Sequence, residues 1–201
     1  GSGALTLYEN GLVEIQATGT LTANGEQMDL AGTIKLAGGT LDLQGAGDTL
    51  ILTESAELTG YGTVAAPVEN SGTLRPTSGA LEIEGDLTQT NTGALVQRLD
   101  GGTVSSLGVT GDVAAAGLVS IELAPGETPT DGDQITLLTF GGALSGAFGN
   151  PAIPELPAGL TGSLISDTGA IALRFTAATS FDLDEQVTAG LAELSTFLDE
   201  L

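Results

Sequence analysis

The chain has 201 residues, enough for one elongated domain or two small ones, and 41% of them are hydrophobic. Aromatics are only 3% and Trp is absent, so any core is aliphatic. Twenty-six Asp and Glu against four Lys and Arg give a net charge of −22, which excludes nucleic acid, whose phosphates need clustered cations, and disfavours anionic membranes.

From the first residues one pattern dominates: glycine, any residue, apolar, any residue, apolar. It runs as Gly3-Ala-Leu5-Thr-Leu7, Gly11-Leu-Val13-Glu-Ile15, Gly32-Thr-Ile34-Lys-Leu36 and Gly39-Thr-Leu41-Asp-Leu43. It returns as Gly79-Ala-Leu81-Glu-Ile83 and Gly117-Leu-Val119-Ser-Ile121. Apolar residues two apart share one face of a strand, and the glycine before them supplies a bend. A longer period lies above this one. Gly11 and Gly32 are 21 apart, and Glu69–Leu74 realigns with Thr90–Leu95 at the same offset. Three short strands and three turns per 21–23 residues is the coil length of a three-sided parallel solenoid. Residues 1–124 are expected to form five to six such coils, roughly 25 Å long at a spacing of about 4.8 Å. Asn70 and Asn91 then fall at one corner, either as rungs of an amide ladder or as turn residues chosen for local backbone reasons.

The pattern changes near residue 124. Pro125-Gly-Glu-Thr-Pro-Thr-Asp-Gly-Asp133 is a loop by every breaker signal, and longer strands carrying Phe140, Phe148 and Phe175 follow. Residues 125–178 read as a β-rich cap over the exposed end of the solenoid. From 179 to 201 the alternation gives way to an amphipathic helix. Val187, Leu191, Leu194, Leu198 and Leu201 are spaced 4, 3, 4, 3, a stripe fit either to fold back on the rod or to meet its own copies. No stretch approaches the ~20 apolar residues of a membrane span. None reads as a signal peptide, as a fragment or a mature product would show.

Gly72-Thr-Leu-Arg-Pro76, followed by Gly79-Ala-Leu-Glu-Ile-Glu-Gly-Asp-Leu-Thr-Gln89, resembles the passenger domains of autotransporter-type bacterial surface proteins. So do Asp131–Thr139, Leu144–Phe148, Pro154–Leu160 and Ile171–Phe175, so the resemblance covers about residues 60–176. It implies a secreted, right-handed, single-stranded parallel β-helix with a β cap, engaged in adhesion, aggregation or scaffolding. Nothing after residue 178 resembles the outer-membrane barrel of that family.

The chain contains neither His nor Cys, which removes Ser–His–Asp and Cys–His nucleophile systems and imidazole or thiolate metal sites. Arg75 and Arg98 fall near one face, with Glu82, Glu84 and Asp100 close in sequence, but carboxylates alternating with Leu and Ile are the ordinary solvated side of a strand. No catalytic residue and no cofactor are therefore expected. Asp131 and Asp133 offer two carboxylates on a tight turn, a weak Ca2+ candidate beside the simpler reading of a polar turn. The expected function is an extracellular structural or adhesive module that associates into a homo-oligomer or fibre through the C-terminal stripe. The alternative is a phage tail-fibre, tailspike or virion-decoration β-helix that binds, and in one version cleaves, surface polysaccharide.

Overall fold

The computed structural model describes residues 10–23, 27–45, 47–153 and 156–178, and among these it is all β, a parallel solenoid with no helix. The first coil comprises β1 (Leu12–Gln16), β2 (Thr20–Ala23) and β3 (Gln27–Leu30). The next three coils merge two sides into one bent strand: β4 (Thr33–Leu43) with β5 (Thr49–Leu52), β6 (Glu57–Ala65) with β7 (Val68–Asn70), and β8 (Thr73–Ile83) with β9 (Leu87–Gln89). Then come β10 (Ala94–Leu99), β11 (Leu107–Val109) and β12 (Val113–Ala115), followed by β13 (Leu118–Leu123), β14 (Gln134–Phe140) and β15 (Leu144–Gly146). A hairpin of β16 (Leu160–Asp167) and β17 (Ala170–Ala177) closes the described chain.

The pairing sorts these strands into three parallel stacks. One contains β1, the first halves of β4, β6 and β8, then β10 and β13. The second contains β2, the second halves of the bent strands, β11 and the end of β14. The third is the six-stranded sheet β3-β5-β7-β9-β12-β15. Inward residues align in columns: Val13, Ile34, Leu58 and Leu74 continue through Leu95 to Val119. All but Val13 are essentially fully buried. This is how a chain poor in aromatics builds a core. Each layer is thin, and aliphatic chains stack in register instead of filling one wide interior. Burying one such Leu contributes roughly 1.5–3 kcal/mol.

Every glycine-led strand of the sequence pattern that falls within the described residues is a strand here, with its second apolar residue buried. The glycine is required by a close approach. At Gly93 a Cβ would overlap the Asn70 carbonyl of the previous coil, and at Gly117 it would overlap that of Gly93. Gly3–Leu7 lies outside the described residues.

The period is less regular than 21–23. The step between paired residues runs from 16 (Glu57 to Thr73) to 31 (Leu107 to Leu138). The variation is confined to corners, while the strands keep their register.

Residues 125–178 share both sheets with the coils. The end of β14 pairs in parallel with β11, and β15 with β12. Across its other edge β14 pairs antiparallel with β17, and β17 with β16, so the second stack ends on a strand of reversed direction. Beside β13 runs the segment around Ala152, through Ala152 N–H to Val119 O (2.8 Å) and Ile121 N–H to Ala152 O (2.9 Å). Phe175, fully buried, fills the core under this end. The helical stripe expected over 179–201, with Val187, Leu191, Leu194, Leu198 and Leu201, lies outside the described residues.

Candidate functional site

Adjacent coils are joined by side chains as well as by ladders. On the third stack the inward column Leu30–Leu52 continues into Asn70 and then Gln89, both buried. Asn70 Nδ2 donates to Gln89 Oε1 (3.0 Å), Asn70 Oδ1 accepts from the Gly72 N–H (3.1 Å), and Gln89 Nε2 donates to Leu118 O (3.3 Å). An amide ladder therefore exists, but its second rung is Gln89. Asn91, the expected partner, is exposed, because the 89–94 turn is two residues longer than the 70–73 turn and carries it outward. At the corner before the third stack, the Asp86 carboxylate accepts from Asp112 N–H (2.8 Å), and Asp112 in turn from Ala143 N–H (2.7 Å). The Gly-Asp-Leu-x-Gln stretch at 85–89 thus carries two coil-to-coil connectors.

The expected ligand groups separate into those in use and those free. Asp133 Oδ2 accepts from the amide (2.8 Å) and hydroxyl (3.0 Å) of Thr130, and Asp131 Oδ1 accepts from Ala177 N–H (2.8 Å). Both carboxylates fasten the turn before β14. Among the described residues no group of three or more acidic side chains comes together to hold a metal. Arg75 pairs with Glu57 (3.3 Å) and reaches across β10 to Glu122 (2.9 Å), a crossing that accounts for the burial of the outward-facing Val96. Glu82 and Glu84 lie on the next side, around the corner from Arg75. Arg98 and Asp100 remain exposed, and neither side chain is in an ion pair or hydrogen bond among the described residues.

These two residues line an open groove of about 790 Å³, whose walls are Pro76–Ala80 on one coil and Arg98, Asp100 and Thr103–Ser106 on the next. Its origin is corner length. Between paired positions, coil three needs only Tyr61 to pass from Gly60 to Gly62, whereas coil four needs residues 77–80 between Pro76 and Leu81. In coil five the chain leaves β10 at Leu99 and rejoins the second stack at Leu107. Two long corners thus follow each other and stand apart. β10 pairs with β8 only at Ala94 and Leu95, so the ladder is open beneath them.

The groove is held in shape. Asp100 and Thr103 exchange backbone hydrogen bonds (2.9 and 3.2 Å), and the Glu127 carboxylate from the following coil accepts from Gly101 N–H (2.8 Å) and Gly102 N–H (3.1 Å). Ser78, on the opposite wall, sits at φ 65°, a left-handed conformation costly for a residue with a Cβ. The arrangement offers hydroxyls, one guanidinium and one carboxylate on a fixed frame, which suits a polar ligand. By contrast, a 210 Å³ cavity beside β16, lined by Phe148, Leu164 and Ile171, has no titratable group in its lining.

Sequence reasoning paired Arg98 with Arg75 and missed the groove, because the length of a corner is set by where pairing resumes. It also missed Gln89, Asp86, Asp112 and Glu127 as connectors. A Gly-Asp step recurs at 85 and 111, but its spacing of 26 departs from the expected period. Comparison with known proteins gives no match, either to a protein family or to a curated protein.

Proposed function

We propose that this chain is a non-catalytic structural and binding module, displayed outside the cell on a bacterial surface protein or fibre. The observation that carries the reading is a division of labour along the rod. The coils are fastened to one another by buried columns, by the buried Asn70 and Gln89, and at an exposed corner by Asp86 and Asp112, while length varies only at the corners, where a polar groove opens. A solenoid of this kind acts as a rigid spacer, and its corners are the surface it offers. Support for a role without catalysis comes from the missing His and Cys and from a groove holding one Arg and one Asp without a nucleophile–base pair. Self-association through Val187, Leu191, Leu194, Leu198 and Leu201 belongs to the same proposal.

Two measurements test it. Beads coated with the purified protein should adhere to cell-surface material, and light scattering should report an oligomer that deletion of 180–201 reduces to a monomer. Inert beads together with a monomeric full chain refute the proposal. The second reading, a tailspike-like polysaccharide-cleaving protein, is favoured by the Arg98–Asp100 juxtaposition. It requires that incubation with surface polysaccharides release shorter chains.

A further inference from the structure

Tyr61 is 38% exposed, and the only other tyrosine, Tyr8, falls outside the described residues. It occupies the short corner of coil three, one coil before the groove. Its ring lies against the corner because its neighbours have no side chain. A Cβ on Gly79 would come within 3.2 Å of the Tyr61 Cβ and within 3.3 Å of its Cγ, and a Cβ on Gly38 within 3.2 Å of its Cε2. Gly79 is also part of the groove wall. The exposed aromatic and the groove are therefore contiguous along one corner, parallel to the rod axis.

We propose that this strip, from Tyr61 across Gly79 to Arg98 and Asp100, binds a neutral hexose chain. The inference rests on reading the chain as a binding module and names its ligand class. Three requirements of sugar recognition meet here. A flat ring presents an apolar face for the C–H face of a pyranose. An adjacent guanidinium and carboxylate offer donors and acceptors for vicinal hydroxyls. Ser78, Ser105 and Ser106 add hydroxyls on walls that are already ordered, which lowers the cost of binding. The groove's volume falls within the ~300–1,000 Å³ of small-ligand sites. Charge selects the neutral class. Arg98 and Asp100 offset each other, and the surrounding net charge of −22 repels a polyanion.

The test uses the 201-residue protein and 15N chemical-shift mapping. Soluble neutral oligosaccharides (gluco-, manno- and galacto-series) and oligogalacturonate are titrated separately to millimolar concentration. At least one neutral series should shift the amides of 76–80 and 98–106 and perturb tyrosine fluorescence, with oligogalacturonate weaker. Tyr61→Ala and Asp100→Asn should each weaken binding about tenfold or more. Lys35→Gln, on the same stack away from the groove, should leave it unchanged. If no neutral series shifts those amides, if oligogalacturonate binds more tightly, or if the two groove variants bind as wild type, the inference is overturned. Bead adhesion separates its failure from that of the module reading. Beads that still adhere when carrying Tyr61→Ala or Asp100→Asn leave a binding module whose contact surface lies elsewhere, whereas inert wild-type beads remove both.

Discussion

Replacing Asn70 by Ala isolates the contribution of the buried amide pair. The side chain is fully buried and makes two well-placed hydrogen bonds, to Gln89 Oε1 (3.0 Å) and from Gly72 N–H (3.1 Å). The substitution leaves both partners buried and unmatched, at about 1–3 kcal/mol each, so the expected loss is about 2–6 kcal/mol. Replacing both amides by Leu extends the Leu30–Leu52 column and should cost less than the two single Leu substitutions together, with a coupling of about 1 kcal/mol or more. Equilibrium urea unfolding followed by circular dichroism gives the energies, and amide exchange at Gly72 gives the local consequence. A loss under ~0.5 kcal/mol with unchanged Gly72 exchange, or strict additivity in the double variant, refutes the claim that the pair fastens neighbouring coils.

Gly60, at φ 107°, has no room for a Cβ, which would overlap the Leu36 carbonyl oxygen; Gly60→Ala should leave little soluble folded protein, read by expression and thermal melting. The Glu14 carboxyl, held below its ordinary pKa by the hydrogen bond and charge of Lys35 (3.0 Å), contributes stability above the usual Glu range that is lost as pH falls through its depressed value. NMR titration should find the Glu14 carboxyl below its ordinary value, and Lys35→Met should raise it. Gln97 is fully buried and donates from Nε2 to Leu137 O (2.6 Å), so Gln97→Glu can keep that bond only while protonated. Burial raises the new carboxyl's pKa, so the variant should approach wild-type stability in acid and lose it as pH rises through that value, seen in melts from pH 4 to 8. Glu127→Ala frees the amides of Gly101 and Gly102 and should speed their exchange while leaving the core amides of β4 and β6 protected.

The sequence carries the fold through residues whose role is repeated in every coil. Ile34, Leu36, Leu41 and Leu43 announce their inward face by alternation, because a period of two needs only a local reading. The glycines at 93 and 117 are legible for the same reason, since they recur before a strand where the preceding coil's carbonyl comes close, although coil three carries Ala56 at that place. The groove is different. Arg98 and Asp100 look like the other charged residues of exposed strand positions until the pairing shows that coil five leaves its ladder after Leu95. Asn70 and Asn91 illustrate the limit most directly. They align at 21 residues, as do Thr73 and Ala94, yet the neighbouring turn is two residues longer and gives the inward place to Gln89. Identity of local sequence fixes a turn, but only the count between ladders decides which side chain points in.

The irregular step from coil to coil, 16 residues at one place and 31 at another, has a consequence for how such a protein changes over time. Because each stack holds its own register through its columns, a corner can gain or lose residues without moving a single inward side chain. Insertions are thus uncoupled from the interior, and selection acts on them almost as on free text inserted between fixed words. The segments 77–80, 100–106 and 124–133 form a run of lengthened corners on one edge of the rod. That edge is where the molecule can acquire a new specificity without relearning how to fold, and it is the place to graft foreign loops.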